Sequence, residues 1–217
     1  MDIDVNKKWY TREEERLNLL THLIGAVLGV IGLILILIKF KGAEPMVLFA
    51  MLVFIISTII VYTTSSLYHL CDPAKSLKSK YIYQKIDHCM VALVILGTGT
   101  PILLVVSEGV IAYTMFALLI IMTVFNCVLN ILSVSKYDKP SLILCVASFV
   151  CITLGVLIDN KGSNTPLYIL LSAGIGTMLI GNFAFLRVKK KYFHVIWHLF
   201  SVITSVLHFL AFYLFAF

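Results

Sequence analysis

Charge is scarce in this chain of 217 residues: 13% are Asp, Glu, Lys or Arg, whereas 60% are hydrophobic and the mean hydropathy is +1.01. Soluble domains carry about 25% charged residues, so a water-soluble fold is excluded and a single integral membrane bundle is expected. A short apolar stretch ahead of the first long one is also missing. The first 16 residues (MDIDVNKKWYTREEER) are polar, so cleavage of a signal peptide is not expected. The five cysteines (Cys71, Cys89, Cys127, Cys145 and Cys151) are odd in number and lack CxxC spacing, which argues against a cysteine metal site. Cys127, Cys145 and Cys151 fall in apolar runs and read as small buried hydrophobes. No internal repeat and no second domain is evident. The net charge of +6 reads as the loop charge of a membrane protein, not as a surface for nucleic acid.

What the chain has instead is long apolar runs. Crossing the hydrocarbon core takes about 20 residues, and seven segments qualify: 17–38, 46–70, 83–106, 110–134, 141–158, 166–188 and 194–217. The breaks between them carry turn chemistry: KGAEP, DPAKSLKSK, SEG, KYDKP, DNKGSNTP and KKKY. Pro45, Pro140 and Pro166 stand where spans begin and a missing amide donor costs little; Pro101 lies inside the third span and predicts a kink. The expected fold is all-α: a single seven-helix transmembrane domain over 17–217, preceded by a polar segment over 1–16.

Lysine and arginine set the expected orientation. The N-terminus (Lys7, Lys8, Arg12, Arg16) and alternate loops (Lys75, Lys78, Lys80, Lys85; Lys136, Lys139; Arg187, Lys189, Lys190, Lys191) hold 14 of the 17 basic residues, against Lys39, Lys41 and Lys161 on the other side. By the positive-inside rule the N-terminus is cytoplasmic and the C-terminus extracytoplasmic. That is opposite to a seven-helix G-protein-coupled receptor.

On this topology the second span ends inside at His69, the third begins inside near Asp87, and the seventh begins inside with His194 and His198. Ionisable groups in a membrane span are costly and mark partners, metals or wet cavities, and these four share one depth. His194 and His198 are i and i+4, neighbours on one helix face. Three imidazoles and a carboxylate make a zinc shell, with Asp87 either a direct ligand or the holder of a metal-bound water. Ser65, one turn before His69, offers a hydroxyl to a substrate carbonyl or to Asp87, or else bonds back to its own helix. Each residue also has an ordinary reading: an interfacial cap, a helix-start charge at Asp87, or a lipid-headgroup patch beside the three lysines.

Other polar residues compete. Glu14, Asn18 and His22 lie at i, i+4 and i+8 in ERLNLLTHLIG, either as a stripe behind or leading into the site, or as a helix start. His88 points about 100° away from Asp87 around the helix. His208, 14 residues past His194, sits about 21 Å deeper along the axis and is expected to bond another helix. Asn126, Asn130 and Asn182 read as interhelical hydrogen-bonding residues.

The segments EEERLNLLTHLIGAVLG, TSSLYH, KIDHCMVALVILGTGTP and HVIWHLFSVITSVLHF together resemble the haemolysin III group of the progestin and adiponectin receptor superfamily, over nearly the whole chain and in the same order. The length resembles its bacterial branch. The resemblance implies a seven-helix bundle with a zinc ion near the cytoplasmic leaflet. The ion would be held by His69, His194 and His198, with Asp87 reaching it through water and Ser65 lining the site. The wider superfamily resembles alkaline ceramidases, which hydrolyse a lipid amide, and the bacterial members carry a haemolysin name and an association with membrane-lipid homeostasis.

The functional expectation is a zinc-dependent hydrolase of a lipid amide or ester in the cell membrane, with Asp87 and Ser65 as catalytic residues and a lipid or small-molecule substrate entering from the leaflet. The alternatives are a non-enzymatic membrane sensor or regulator with structural zinc, or a cytolysin acting on host membranes. The oligomeric state is left open.

Overall fold

A computed structural model describes residues 9–107, 109–158, 164–187 and 190–216, without the side chains of 183–187. Lys7, Lys8, Lys161 and Lys189, all part of the charge bias, lie outside the described residues. The described chain is helical, with no strand: α1 (Arg12–Lys39), α2 (Pro45–Leu70), α3 (Leu77–Pro101, continued by a π turn at Ile102–Val106), α4 (Val110–Ile158), α5 (Thr165–Arg187) and α6 (Phe193–Phe215). All six are long and apolar enough to cross a membrane.

The helices wear their polarity inside out. Along α1, Leu20, Ile24, Val27, Ile31, Ile34 and Ile38 are exposed, whereas Asn18, His22, Gly25, Gly29 and Gly32 face inward. A soluble helix buries its apolar stripe; here small and polar residues face neighbouring helices, as they do when the solvent is lipid. Close approach follows: a Cβ at Gly97 in α3 would lie 1.8 Å from Ser57 Oγ in α2, so only glycine fits there. Through such contacts α4, α3, α2, α1, α6 and α5 stand beside one another in that order.

Helix ends depart from hydropathy. The helix α1 starts at Arg12, inside the segment expected to precede the bundle, because Thr11 and Glu14 form a reciprocal capping box. Likewise α3 starts at Leu77, capped by Ser76, whose Oγ accepts the Ser79 N–H at 3.3 Å. After Pro101 the helix widens, and Ser107 N–H bonds Ile102 O at 2.9 Å. The expected kink takes the form of a π turn.

The fourth and fifth expected spans fall within one assigned helix, α4, of 49 residues. A straight helix of that length would measure about 70 Å, but α4 doubles back. Its backbone turns non-helical at Ser133 (φ −164°, ψ 112°) and Tyr137, and Cys151 Sγ lies 3.2 Å from Met115 O. A polar clasp closes the fold-back. Asn126 Nδ2 donates to Ser141 O (2.8 Å), Ser141 Oγ to Asn126 Oδ1 (3.1 Å), and Asn130 Nδ2 to Asn126 Oδ1 (2.7 Å).

Apolar side chains fill one half of the bundle, with Met51, Phe54, Ile95, Leu103, Leu119, Ile152, Leu171 and Phe212 at its centre. At that end Lys39 donates to the Tyr213 carbonyl. The opposite half, where α1, α3 and α6 begin and α2 ends, holds His69, Asp87, His194 and His198.

Replacing Asn126 by Leu keeps the branched shape but removes the side-chain donor to the Ser141 carbonyl and the acceptor of the Ser141 hydroxyl. The expected loss is about 1–2 kcal/mol of unfolding free energy, measured as a lower midpoint in denaturing-detergent titration; an unchanged midpoint would show that the clasp contributes nothing.

Candidate metal centre

Two helices deliver one imidazole cluster. His69 ends α2, and His194 and His198 lie on one face of α6; one ring nitrogen from each falls within 4.8 Å of the others. The ring centroids of His69 are 5.3 Å from His194 and 5.0 Å from His198, and those of His194 and His198 are 4.4 Å apart. His69 and His198 are buried.

A third helix, α1, orients these rings. His198 Nδ1 lies 3.3 Å from the Asn18 carbonyl. A carbonyl only accepts, so Nδ1 carries the proton and Nε2 keeps its lone pair. Glu15 Oε2 sits 2.6 Å from His69 Nδ1, which fixes the same tautomer, and His69 Nε2 is buried with no hydrogen-bond partner. His22 stacks on His198 at 3.5 Å, nearly parallel, and Tyr10 stacks on His194 at 4.7 Å.

The arrangement of α1 against α6 rests on Glu14, whose Oε1 accepts the Tyr192 N–H at 3.0 Å. Tyr192 precedes α6 in the left-handed region (φ 68°), which is unfavourable for a residue with a side chain. The carboxylate hydrogen bond stabilises that conformation. Burial, reinforced by the charges of Glu15, Glu14 and Asp87, pushes the Tyr10 phenol up to about 12.

This donor set fits a metal ion. Three imidazoles, two with their outer nitrogens anchored and one of those presenting a partnerless buried Nε2, match the ligands and outer hydrogen-bond partners of a three-histidine site. The cluster could hold a metal, and zinc suits three nitrogen ligands with a further open position.

Asp87 and His194 line a common cavity of about 300 Å³ with Tyr10, Tyr68 and Trp197. A smaller pocket, of about 60 Å³, shares Asp87 and Trp197 and runs past His22, Tyr62 and Ser201 to His208. Ser65 Oγ is directed at Asp87 without closing a hydrogen bond of ordinary length.

The sequence profile of the family described as "Haemolysin-III related" matches residues 10–209. The chain belongs to the haemolysin III family. It is similar to Hemolysin-3 of Bacillus cereus (29% identity, 91% of this chain and 89% of the relative). It also resembles the Hemolysin-3 homolog of Bacillus subtilis (strain 168) (28% identity, 88% and 89%). The match makes this a multi-pass membrane protein of that family, and the imidazole cluster lies within the matched residues.

Of the remaining sequence candidates, His208 bonds α5 (Nε2 to Leu171 O, 3.3 Å), and Asn182 accepts the Trp197 indole N–H at 2.7 Å. His88 lines the cavity with Asp138, outside the cluster. Two contributors escaped the sequence reading. Glu15, not Glu14, reaches a histidine, and Lys80, counted as a loop charge, is fully buried beside it.

Substituting His69 with Ala is expected to weaken zinc binding by more than about 100-fold, since loss of an outer hydrogen-bond partner alone costs about 10–100-fold in such sites. Equilibrium dialysis of the purified protein measures this; retention of wild-type affinity would exclude the cluster as the binding site.

Proposed function

We propose that this haemolysin III protein is a zinc-dependent hydrolase of an amide or ester bond in a membrane lipid, built as one domain of seven spans with a cytoplasmic N-terminus. The observation that carries the reading is the shared cavity. It brings His194 of the three-histidine cluster together with Asp87 and adjoins, through Asp87 and Trp197, a pocket running deeper into the bundle. The fold-back of α4 supports the span count, since its two arms pack antiparallel, and the loop charges support the orientation.

His69, His194 and His198 would hold the zinc. When bound, the ion supplies Lewis-acid polarisation of a carbonyl and a water with a pKa lowered to about 7. Asp87 would accept a proton from the attacking water and return it to the leaving nitrogen or oxygen, so the carboxylate would end each turnover as it began. Ser65 would steady Asp87 or donate to the developing oxyanion. The lower pocket, lined by Val61, Val94, Ile95 and Phe149, would receive hydrocarbon.

The relatives' name suggests lysis as a rival activity. A polytopic bundle whose outer face is already apolar suits permanent residence in a membrane better than delivery to another cell.

The decisive experiment incubates purified zinc-loaded protein in liposomes with a panel of ceramides and acyl esters and measures released fatty acid. Asp87→Asn is expected to lower turnover by about 10²–10⁴-fold with zinc content unchanged. Undiminished turnover in that variant would remove Asp87 from the reaction; no product from any lipid would sink the hydrolase reading. Liposome dye release that persists in wild type and disappears in His194→Ala would favour the cytolysin instead.

A further inference from the structure

Beside the cluster lies a partly buried ion pair whose role is not explained by helix packing alone. Glu15 of α1 places Oε1 2.9 Å from Lys80 Nζ of α3 and Oε2 2.6 Å from His69 Nδ1 of α2. Lys80 is 0% exposed. The same ammonium donates to the Tyr68 carbonyl at 2.8 Å and lies over the rings of Tyr68 (4.0 Å) and Trp9 (5.6 Å).

We propose that Glu15 and Lys80 are positioning residues of the metal centre, fixing His69 so that its Nε2 is presented to the ion. The proposal rests on the metal-centre reading and names what sets its affinity. Three geometric facts carry it. The Glu15–His69 contact falls at the short, charge-assisted end of the hydrogen-bond range. The nitrogen opposite it, Nε2, is buried and partnerless. Lys80 grips both the carboxylate that holds the ring and the backbone carbonyl of the residue before it, so the side chain and main chain of His69 are fixed from one point. The two aromatic rings cover the ammonium and keep water from competing for it.

A pair that merely joined α1 to α3 would need one carboxylate oxygen and no histidine. This pair commits its second oxygen to a ligand, in the carboxylate–histidine–metal order that fixes tautomer and ring direction. Neither residue touches the cavity that would receive substrate, since Glu15 and Lys80 are absent from its walls. Their effect should therefore appear in metal affinity and coordination.

The test uses the full chain in detergent or nanodiscs. Zinc affinity is read by competition with a chromophoric chelator, ligand-field symmetry by the visible spectrum of bound Co2+, and folding by thermal melting of the metal-free protein. Glu15→Gln is expected to weaken zinc binding by about 10–100-fold and to alter the Co2+ band while leaving saturation at the wild-type stoichiometry. Either single variant leaves a charge without its partner, the fully buried Lys80 ammonium in Glu15→Gln or the partly buried Glu15 carboxylate in Lys80→Met, and is expected to lower the melting temperature as well. The double variant Glu15→Gln/Lys80→Met removes both charges, so it should recover melting while affinity stays low. Glu15→Asp keeps both charges but shortens the reach, and should fold and bind weakly.

Separation of folding from affinity in the double variant, or in Glu15→Asp, supports the positioning role. A folded variant with wild-type zinc affinity and an unchanged Co2+ spectrum overturns it and leaves the metal centre intact. A wild-type chain that binds neither ion overturns the metal centre itself.

Discussion

Glu15 brings three helices to one depth by offering one carboxylate oxygen to Lys80 of α3 and the other to His69 of α2. Lys80 is fully buried, and an ammonium left there without its carboxylate is strongly disfavoured, the loss of one partner from a buried pair typically costing about 3–5 kcal/mol. The chain therefore has little freedom in how α1, α2 and α3 meet at this end. The fourth helix follows from the neighbouring residues of α1: Glu14 captures the Tyr192 N–H at the start of α6, and the Asn18 carbonyl orients His198. Within about two turns, α1 determines where the imidazoles of both α2 and α6 come to lie.

That polar end is tolerated because the rest of the bundle is built for lipid. With apolar side chains outside on every helix, helix association cannot rely on a hydrophobic effect and depends on close packing and hydrogen bonds. Gly97 against Ser57 and the clasp of Asn126, Asn130 and Ser141 are those devices. They leave one half of the molecule densely filled by Phe54, Leu119, Ile152 and Phe212. The cavity beside His194 and Asp87 lies in the other half.

The imidazole cluster was legible in the sequence because its signals are ones of spacing and sign. His194 and His198 are four apart on a helix, and the loop charges put His69 at their depth. Glu15 was not legible, because three consecutive glutamates stand at 13–15 and the periodic stripe through Asn18 and His22 selects Glu14. A residue one position off that stripe reaches a different neighbour, and only the packing of α2 against α1 reveals that the neighbour is His69. Lys80 was misread for a related reason. It sits in a lysine-rich stretch that looks like a loop, yet Ser76 caps a helix there and the first turn of α3 turns the side chain inward. Hydropathy also missed the polar first turns of α1 and α3, which hydrogen-bond geometry sets. The Ser133–Pro140 fold-back carried loop chemistry, and the backbone stays helical through most of it.

Two carboxylates thus flank one histidine cluster in different circumstances, and the difference assigns their roles in the proposed reaction. Glu15 has both oxygens engaged, by a lysine and by a histidine N–H; accepting a further proton would break its ion pair with the buried Lys80. Asp87 faces the cavity, with the Ser65 hydroxyl directed at it and space beside it for a reacting group. A general base needs free lone pairs within reach of its proton and a route by which to give the proton back. In the proposed reaction Asp87, which shares the cavity with His194, would be free to meet that requirement, whereas Glu15, already held by Lys80 and His69, would not. The division follows from what each carboxylate already holds, and Lys80 enforces it by occupying Glu15.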